Sequence, residues 1–120
     1  MELKQCGRSG LYLSALGLGT LTWGRDTDGP EAHDMLKAFV DAGGNLVECS
    51  PAHGDGTAVD VLSEGLSSIG RHRVALVWRG AVRRAGEGAW VSAAGRGDLL
   101  RSLDDALARL DTDYVDMWLV

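Results

Sequence analysis

Hydrophobic residues recur along this chain with two different spacings, and each change of spacing marks a boundary between predicted elements. Short apolar runs bounded by glycine or polar residues indicate strands, whereas apolar residues three or four positions apart indicate helices. The strands are predicted at residues 15–20, 45–50, 73–79 and 114–120, and the helices at 30–42, 57–69 and 98–110. Residues 3–14 are predicted to form a hairpin with a glycine-containing turn at 7–10.

Residues that favour helix ends support these boundaries. Pro30 suits a first helical turn, Glu31 complements the positive N-terminal end of the helix dipole, and Gly43 follows the last apolar position. Asp98 is a suitable N-cap for the third helix. Residues 80–97 are rich in glycine, alanine and arginine and have no clear period, so we predict a long loop there, of the kind that is commonly functional.

The order of the elements predicts an α/β fold. After the hairpin, strands and helices alternate, which is typical of a parallel sheet covered by helices. A doubly wound sheet and a (β/α)-barrel both fit this order. The glycine fingerprint GxGxxG does not follow the first strand of the alternation, which disfavours a dinucleotide-binding doubly wound domain.

Composition narrows the class of protein. The chain has 120 residues, of which 45% are hydrophobic, enough for the core of one domain. Its net charge of −5 disfavours a nucleic-acid surface, and no apolar run has the length of a membrane span. The N-terminus lacks the apolar stretch of a signal peptide. Cys6 and Cys49 show no metal-ligand spacing, so we expect a cytoplasmic protein with free thiols and no bound metal.

Three segments, in order, resemble the aldo-keto reductase family: GRSGLYLSALGLGTLTWG, FVDAGGNLVECSPAHGDG and RLDTDYVDMWLV. They are similar to the family's N-terminal hairpin with its first strand, to the segment around its second strand, and to the entry to its fourth strand. The resemblance implies the N-terminal half of a (β/α)8 TIM barrel, with residues 1–14 as the hairpin plug and 15–120 carrying strands one to four. It also implies NADP(H)-dependent reduction of small aldehydes or ketones.

The family's catalytic set is an aspartate, a tyrosine, a lysine and a histidine, and the resemblance places other residues at these positions. Glu48 takes the place of the aspartate, His53 that of the tyrosine and Arg79 that of the lysine. The histidine would directly follow Val120, where the sequence stops. In the family, the tyrosine donates a proton to the carbonyl, and the lysine, held by the aspartate, lowers the tyrosine pKa.

Strand alternation predicts that two of these residues meet. Glu48 and Arg79 lie near the C-terminal ends of neighbouring predicted strands, and active sites of such barrels lie at that end. Their charges are opposite, so we expect an ion pair with a longer acid and a planar base in place of the family's aspartate and lysine. Cys49, on the opposite face of its strand, is expected to face the helices.

Three functional hypotheses follow. In the first, an altered reductase uses His53 as the proton donor, because imidazole titrates near neutral pH, while Glu48 orients it and Arg79 polarises the carbonyl. In the second, a catalytically silent family member binds NADP(H) or a protein partner. In the third, the chain is a fragment without activity of its own.

The resemblance implies further binding residues. Thr20 and Leu21, together with Glu48, match the place where the family approaches the cofactor ribose and nicotinamide. Trp23 matches an aromatic residue that lines the substrate, although a packing role would explain it equally well. The family's phosphate contacts come mainly from its C-terminal half, so we expect these 120 residues alone to bind NADP(H) weakly.

The number of predicted strands also bears on self-association. A barrel of this type has eight strands and about 250 residues, whereas four strands cannot close. The first and fourth strands would then be open edges, which are templates for pairing with another chain. We therefore expect pairing of two copies or marginal stability for these 120 residues alone.

Overall fold

The computed structural model describes residues 1–120 and contains eight strands and three α-helices. The strands are β1 Leu3–Gln5, β2 Tyr12–Ser14, β3 Gly17–Gly19, β4 Leu46–Cys49, β5 Ala75–Arg79, β6 Val82–Ala85, β7 Ala89–Ser92 and β8 Met117–Leu119. The helices are α1 Gly29–Asp41, α2 Ala58–Ile69 and α3 Arg96–Arg109, with short 3-10 helices at His53–Gly56 and Arg71–Arg73. None of these helices combines the length and the apolar character that a membrane span requires.

Four of the strands form one parallel sheet in the order β3-β4-β5-β8. Leu46 lies opposite Ala75 and Glu48 opposite Val77, so these four side chains point to the same face of the sheet. Intervening residues such as Val47 point to the other face and are fully buried in the core. The predicted α/β fold with a parallel sheet is confirmed, and the strand order is the sequential order of a barrel.

The hydrophobic core contains 15 buried residues from the sheet, the helices and the segments next to them. Burying a large apolar side chain contributes roughly 1.5–3 kcal/mol, so the largest members dominate the stabilisation. Cys49 faces this core, as predicted, and burial raises the pKa of its thiol to about 11. The largest fully buried apolar side chains are Trp23, Trp78, Leu36, Leu62 and Leu76.

The N-terminal hairpin of β1 and β2 is fastened to the start of β4. The Ser14 backbone N–H donates to Asn45 Oδ1 at 2.7 Å, and the Asn45 backbone N–H donates to Ser14 Oγ at 3.0 Å. Asn45 Nδ2 also donates to the Tyr12 carbonyl at 2.9 Å. These reciprocal bonds hold the hairpin at the N-terminal end of the sheet, away from the strand ends where a site is expected.

Residues 80–97 are not a loop throughout, contrary to the prediction. They contain an antiparallel hairpin, β6–β7, in which Arg84 lies opposite Trp90. The Arg84 guanidinium carbon lies 4.5 Å from the centroid of the Trp90 ring, which adds a cation–π contact. The sequence pattern does not reveal this hairpin because no residue of β6 or β7 is buried, so no apolar alternation was required.

The start of α3 also differs from the prediction. The helix begins at Arg96, with Gly95 as its N-cap, and Asp98 lies within the first turn. The Asp98 carboxylate accepts a hydrogen bond from Arg101 at 2.9 Å instead of capping the backbone. An acidic residue favours the N-terminal turn of a helix at either position, so the residue type alone does not fix the first residue of the helix.

Candidate active site

Glu48 and Arg79 form an ion pair near the C-terminal end of the sheet. Glu48 lies in β4, and Arg79 is the last residue of the neighbouring β5. Arg79 Nε donates to Glu48 Oε1 at 2.6 Å. The side chain of Glu48 is 27% exposed and that of Arg79 is 58% exposed, so solvent screens the pair and its contribution to stability is small. The arrangement therefore fixes the position of two charged groups more than it stabilises the fold.

His53 follows β4 and is held by a threonine hydroxyl. His53 Nδ1 lies 3.0 Å from Thr20 Oγ1, and the His53 backbone N–H donates to the Ser50 carbonyl at 3.2 Å. Thr20 is fully buried directly after β3, so its hydroxyl is a fixed partner. The sequence hypothesis gave Glu48 the orienting role. In the structure Thr20 orients the imidazole, because the Glu48 carboxylate is bonded to Arg79 instead.

The imidazole of His53 lies within reach of both charges of the ion pair. Partial burial lowers the pKa of His53 from its ordinary 6.5, because the imidazolium loses hydration. The Glu48 carboxylate raises this pKa and the Arg79 guanidinium lowers it, and both effects are smaller than that of burial. The neutral form of the imidazole is therefore favoured at neutral pH, because the pKa lies below the ordinary 6.5.

The turn that carries His53 packs directly on the segment after β3. Gly54 and Asp55 have left-handed backbone conformations, with φ of 58° and 55°. The Gly54 backbone N–H donates to the Leu21 carbonyl at 2.8 Å. A Cβ atom added to Gly54 would lie 1.9 Å from the Trp23 carbonyl oxygen, so only glycine fits this approach.

The residues assigned to the cofactor and the substrate lie in three different environments. The Leu21 side chain is 60% exposed beside the His53 turn. Thr20 is buried and bonded to His53. Trp23 has no exposed surface and belongs to the hydrophobic core, so the structure shows the packing role, one of the two that the sequence left open.

An apolar groove of about 330 Å³ lies beside the ion pair, on the sheet face that carries no helix. Apolar walls with a few convergent polar groups are the usual form of a small-molecule site. Glu48 and Arg79 are the only charged residues in its lining. The lining residues are Leu13, Gly17, Gly19, Leu46, Glu48, Val77, Arg79, Met117 and Leu119.

A second concavity, of about 540 Å³, lies between the β6–β7 hairpin and α3. Its lining includes neither Glu48 nor Arg79, and its arginines are paired with aspartates within hydrogen-bond or ion-pair distance. His53 lines neither of the two concavities. The groove beside the Glu48–Arg79 pair is the better candidate for a reaction site, because it contains both of these residues.

No group of three His, Cys, Asp or Glu side chains is arranged to hold a metal ion.

Arg84 and Trp90, which contact the His53 turn, give no signal in the sequence pattern. The Trp90 indole N–H donates to Asp55 Oδ1 at 2.9 Å, and Arg84 lies 3.0 Å from the same oxygen. The Asp–Gly pair at 55 and 56 is a turn signal, but its partners lie 29 and 35 residues further along the chain. They belong to the segment predicted as a loop, so their contact with Asp55 could not be inferred.

Comparison with known proteins matches residues 15–120 to the aldo/keto reductase family. A curated relative from Oryza sativa subsp. japonica, named probable voltage-gated potassium channel subunit beta, is 32% identical over 98% of this chain and 36% of its own length. The aldo-keto reductase YhdN of Bacillus subtilis is 28% identical over 100% of this chain and 38% of its own length. The chain thus spans less than two fifths of each of these relatives.

Solved structures give the same result at the level of the fold. A candidate aldo-keto reductase from Pseudomonas aeruginosa superposes with a TM-score of 0.87 at 32% identity, covering 98% of this chain and 45% of that one. The holo form of aldo-keto reductase AKR11C1 from Bacillus halodurans superposes with a TM-score of 0.85 at 25% identity, covering 98% and 39%. The TIM-barrel type of fold expected from the sequence is confirmed, and the described strands form a part of such a barrel.

Proposed function

Because the chain belongs to the aldo/keto reductase family, we propose that it forms the substrate-facing part of an NADP(H)-dependent carbonyl reductase acting on small aldehydes or ketones. The observation that carries the proposal is the Glu48–Arg79 ion pair, 2.6 Å long, beside an apolar groove and within electrostatic reach of His53. These residue types differ from the family's set, but their signs of charge and their places on the strands are those that the resemblance requires.

His53 is the proton donor in this proposal. In the imidazolium form, Nδ1–H donates to Thr20 Oγ1, 3.0 Å away, which leaves Nε2–H to donate to a carbonyl oxygen. A proton on that oxygen neutralises the charge that develops as the carbonyl carbon is reduced. A pKa below 6.5 makes His53 a stronger acid, while it reduces the fraction of protonated enzyme at neutral pH.

The ion pair has a positioning and electrostatic role. Arg79 keeps its charge at all physiological pH values, so it polarises a carbonyl oxygen but does not relay a proton. Glu48 fixes the guanidinium through the 2.6 Å bond to Nε and leaves the terminal nitrogens as donors. The pair therefore orients and polarises the carbonyl group of the substrate, whereas His53 supplies the proton.

The residues present fit one end of the proposed cofactor. Leu21 is exposed and Glu48 partly exposed, so both could lie next to the nicotinamide and ribose, whereas Thr20 is fully buried and would act only through His53. NADPH, when bound, supplies the hydride. The groove contains one cation, Arg79, and this cation is already paired, so its lining offers no free charge for the phosphates. We therefore propose that these 120 residues bind NADPH weakly and that phosphate contacts come from elsewhere in a complete barrel.

A catalytically silent protein that binds NADP(H) or a partner is the second candidate function. Relatives from rice and Arabidopsis thaliana are named as probable potassium channel beta subunits, which favours a binding role in part of this family. The departures at Glu48, His53 and Arg79 would be tolerated in such a protein. Two free thiols fit our proposal of a cytoplasmic location for either candidate.

NADPH oxidation by the purified protein, measured with a panel of small aldehydes and quinones, separates the two candidates. Turnover above background supports the reductase, and His53→Ala should then lower the rate by about 10²-fold, the usual contribution of a general acid. His72→Ala is the matched control, because His72 is exposed in the 3-10 helix before β5 and should leave the rate unchanged. Background rates with every substrate, measured on a complete barrel that binds NADPH, would favour the silent protein.

A further inference from the structure

Asp55 joins the His53 turn to the β6–β7 hairpin. The Trp90 indole N–H donates to Asp55 Oδ1 at 2.9 Å, and Arg84 Nη2 lies 3.0 Å from the same oxygen. Arg84 Nη2 also donates to the Asp55 backbone carbonyl. A single residue of the turn therefore receives three contacts from two neighbouring strands of the hairpin.

The backbone of Asp55 requires this support. Its φ of 55° and ψ of 34° are left-handed, a conformation that is unfavourable for a residue with a side chain. Aspartate and asparagine tolerate it better than other such residues, but the cost remains. The contacts to the side chain and to the carbonyl hold both ends of the residue in this conformation, so they stabilise the shape of the turn itself.

Contacts within the hairpin hold Arg84 and Trp90 together. Arg84 and Trp90 lie directly opposite each other in the β6–β7 register, and the guanidinium stacks over the indole ring. Arg84 Nη1 also donates to the Gly88 carbonyl at 2.7 Å, which ties the arginine to the hairpin's own turn. The two donors that reach Asp55 are therefore fixed relative to each other before they contact the turn.

The opposite side of the turn rests on the segment after β3. The Gly54 N–H donates to the Leu21 carbonyl at 2.8 Å, and Thr57 Oγ1 donates to the Trp23 carbonyl at 3.1 Å. His53 lies between these anchors, with its imidazole bonded to Thr20. The turn is thus held from two sides, and the hairpin side lies in strands without a fully buried residue.

We propose that Asp55, Arg84 and Trp90 form a positioning clamp that holds the His53 imidazole against Thr20, so that the hairpin in residues 80–97 controls the geometry of the proton donor. This role rests on the proposed function of His53. The clamp residues are positioning residues, since their contacts are with one another and the His53 turn and not with Glu48 or Arg79. A clamp that merely attached the hairpin to the domain would leave the imidazole unchanged when it is broken.

Nuclear magnetic resonance of the His53 ring tests the clamp in the folded protein without any need for turnover. Trp90→Phe removes the indole donor while it keeps a ring under Arg84, and Asp55→Ala removes the acceptor. Both should shift the His53 ring resonances and move the titration midpoint upward, toward 6.5, because a loosened imidazole regains hydration. The charges that face this ring, Glu48 and Arg79, are unaltered in both variants.

Two further variants act as controls. Asp55→Asn should keep the His53 resonances close to those of the unmodified protein, because asparagine tolerates the left-handed backbone and its amide oxygen accepts the indole N–H. Glu87→Gln changes a charge at the tip of the hairpin, in the turn between β6 and β7, and should have no effect. If Asp55→Ala does not fold, Trp90→Phe decides the outcome alone, because it leaves the turn sequence intact.

An unchanged His53 titration midpoint and unchanged ring resonances in Trp90→Phe would overturn the clamp. This outcome is separable from failure of the proposed function. A protein without any NADPH-dependent turnover, but with a His53 signal that responds to Trp90→Phe, would refute the reductase and leave the clamp standing. NADPH-dependent turnover by a protein whose His53 signal does not respond to Trp90→Phe would support the reductase and refute the clamp.

Discussion

His53 is the residue on which the chemistry of this chain depends, and its environment makes its protonation state sensitive to folding. The imidazole is half-buried, bonded to Thr20 and placed between the opposing effects of Glu48 and Arg79. Because burial dominates, the folded protein favours the neutral ring. Protonation thus costs the folded state more than it costs the unfolded chain.

The lowered pKa of His53 predicts how stability depends on pH. Between the lowered value and the ordinary 6.5, the unfolded chain binds more protons than the folded protein, so stability falls as the pH falls through this window. Urea unfolding above and below pH 6.5 should therefore show a smaller loss of unfolding free energy on acidification for His53→Gln than for the unmodified protein. Equal losses in the two proteins would show that His53 is not buried as described.

The contacts of single residues could be inferred from the sequence only where strand periodicity governs them. The Glu48–Arg79 pair was predictable, because alternate residues of neighbouring parallel strands share a face. The bond between His53 and Thr20 joins residues 33 positions apart, in segments without a regular period, so nothing local encodes it. The same holds for Trp23, whose burial depends on packing against helices and strands elsewhere in the core.

The elements of the fold follow from the hydrophobic pattern wherever one of their faces is buried. The four strands of the parallel sheet and the three helices lie where the pattern predicts them, with shifts of a few residues at their ends. The β6–β7 hairpin is the exception, since its stability comes from the Arg84–Trp90 pair and from contacts with Asp55 instead of apolar burial. A short hairpin whose strands have no buried face leaves no periodic signal.

Alanine should be tolerated very differently at Gly54, in the 3-10 turn at His53–Gly56, and at Gly29, at the start of α1. Gly54→Ala would place a Cβ atom 1.9 Å from the Trp23 carbonyl at a left-handed backbone position. We expect a loss of roughly 2–4 kcal/mol of unfolding free energy from steric overlap and backbone strain.

The matched control for that change is Gly29→Ala at the start of α1. No atom lies within 4 Å of an added Cβ there, and the backbone is helical, so alanine should be neutral or should stabilise by up to about 1 kcal/mol. Thermal or urea unfolding of both variants checks the pair of predictions. Similar unfolding curves for the two variants would show that the turn does not pack on Trp23.

At the scale of the whole molecule, the sheet has two unpaired edges, β3 and β8, and one face without helices. The uncovered face carries partly exposed apolar side chains, including Leu46, Met117 and Leu119. Backbone groups at open edges and apolar patches both favour association with another chain. The 120-residue chain by itself is therefore expected to self-associate or to be marginally stable.

Sedimentation and thermal scans of the 120-residue chain test this expectation. Leu119→Lys puts a charge on the uncovered face next to the β8 edge and should lower the fraction of associated protein. Leu100→Lys, on α3 at a position that is already 46% exposed, should leave association unchanged. A monomer that melts cooperatively at high concentration would contradict the prediction.

The central claim is that His53 donates the proton in carbonyl reduction, and the pH dependence of kcat/KM tests it most directly. The unmodified protein should lose activity as the pH rises through the lowered pKa of His53, whereas His53→Tyr, which restores the residue type of the family, should stay active to higher pH, because a phenol has an ordinary pKa of about 10. The predicted result is that kcat/KM falls on the alkaline side at a higher pH for His53→Tyr than for the unmodified protein. Identical profiles for the two proteins would contradict the role of His53 as the proton donor.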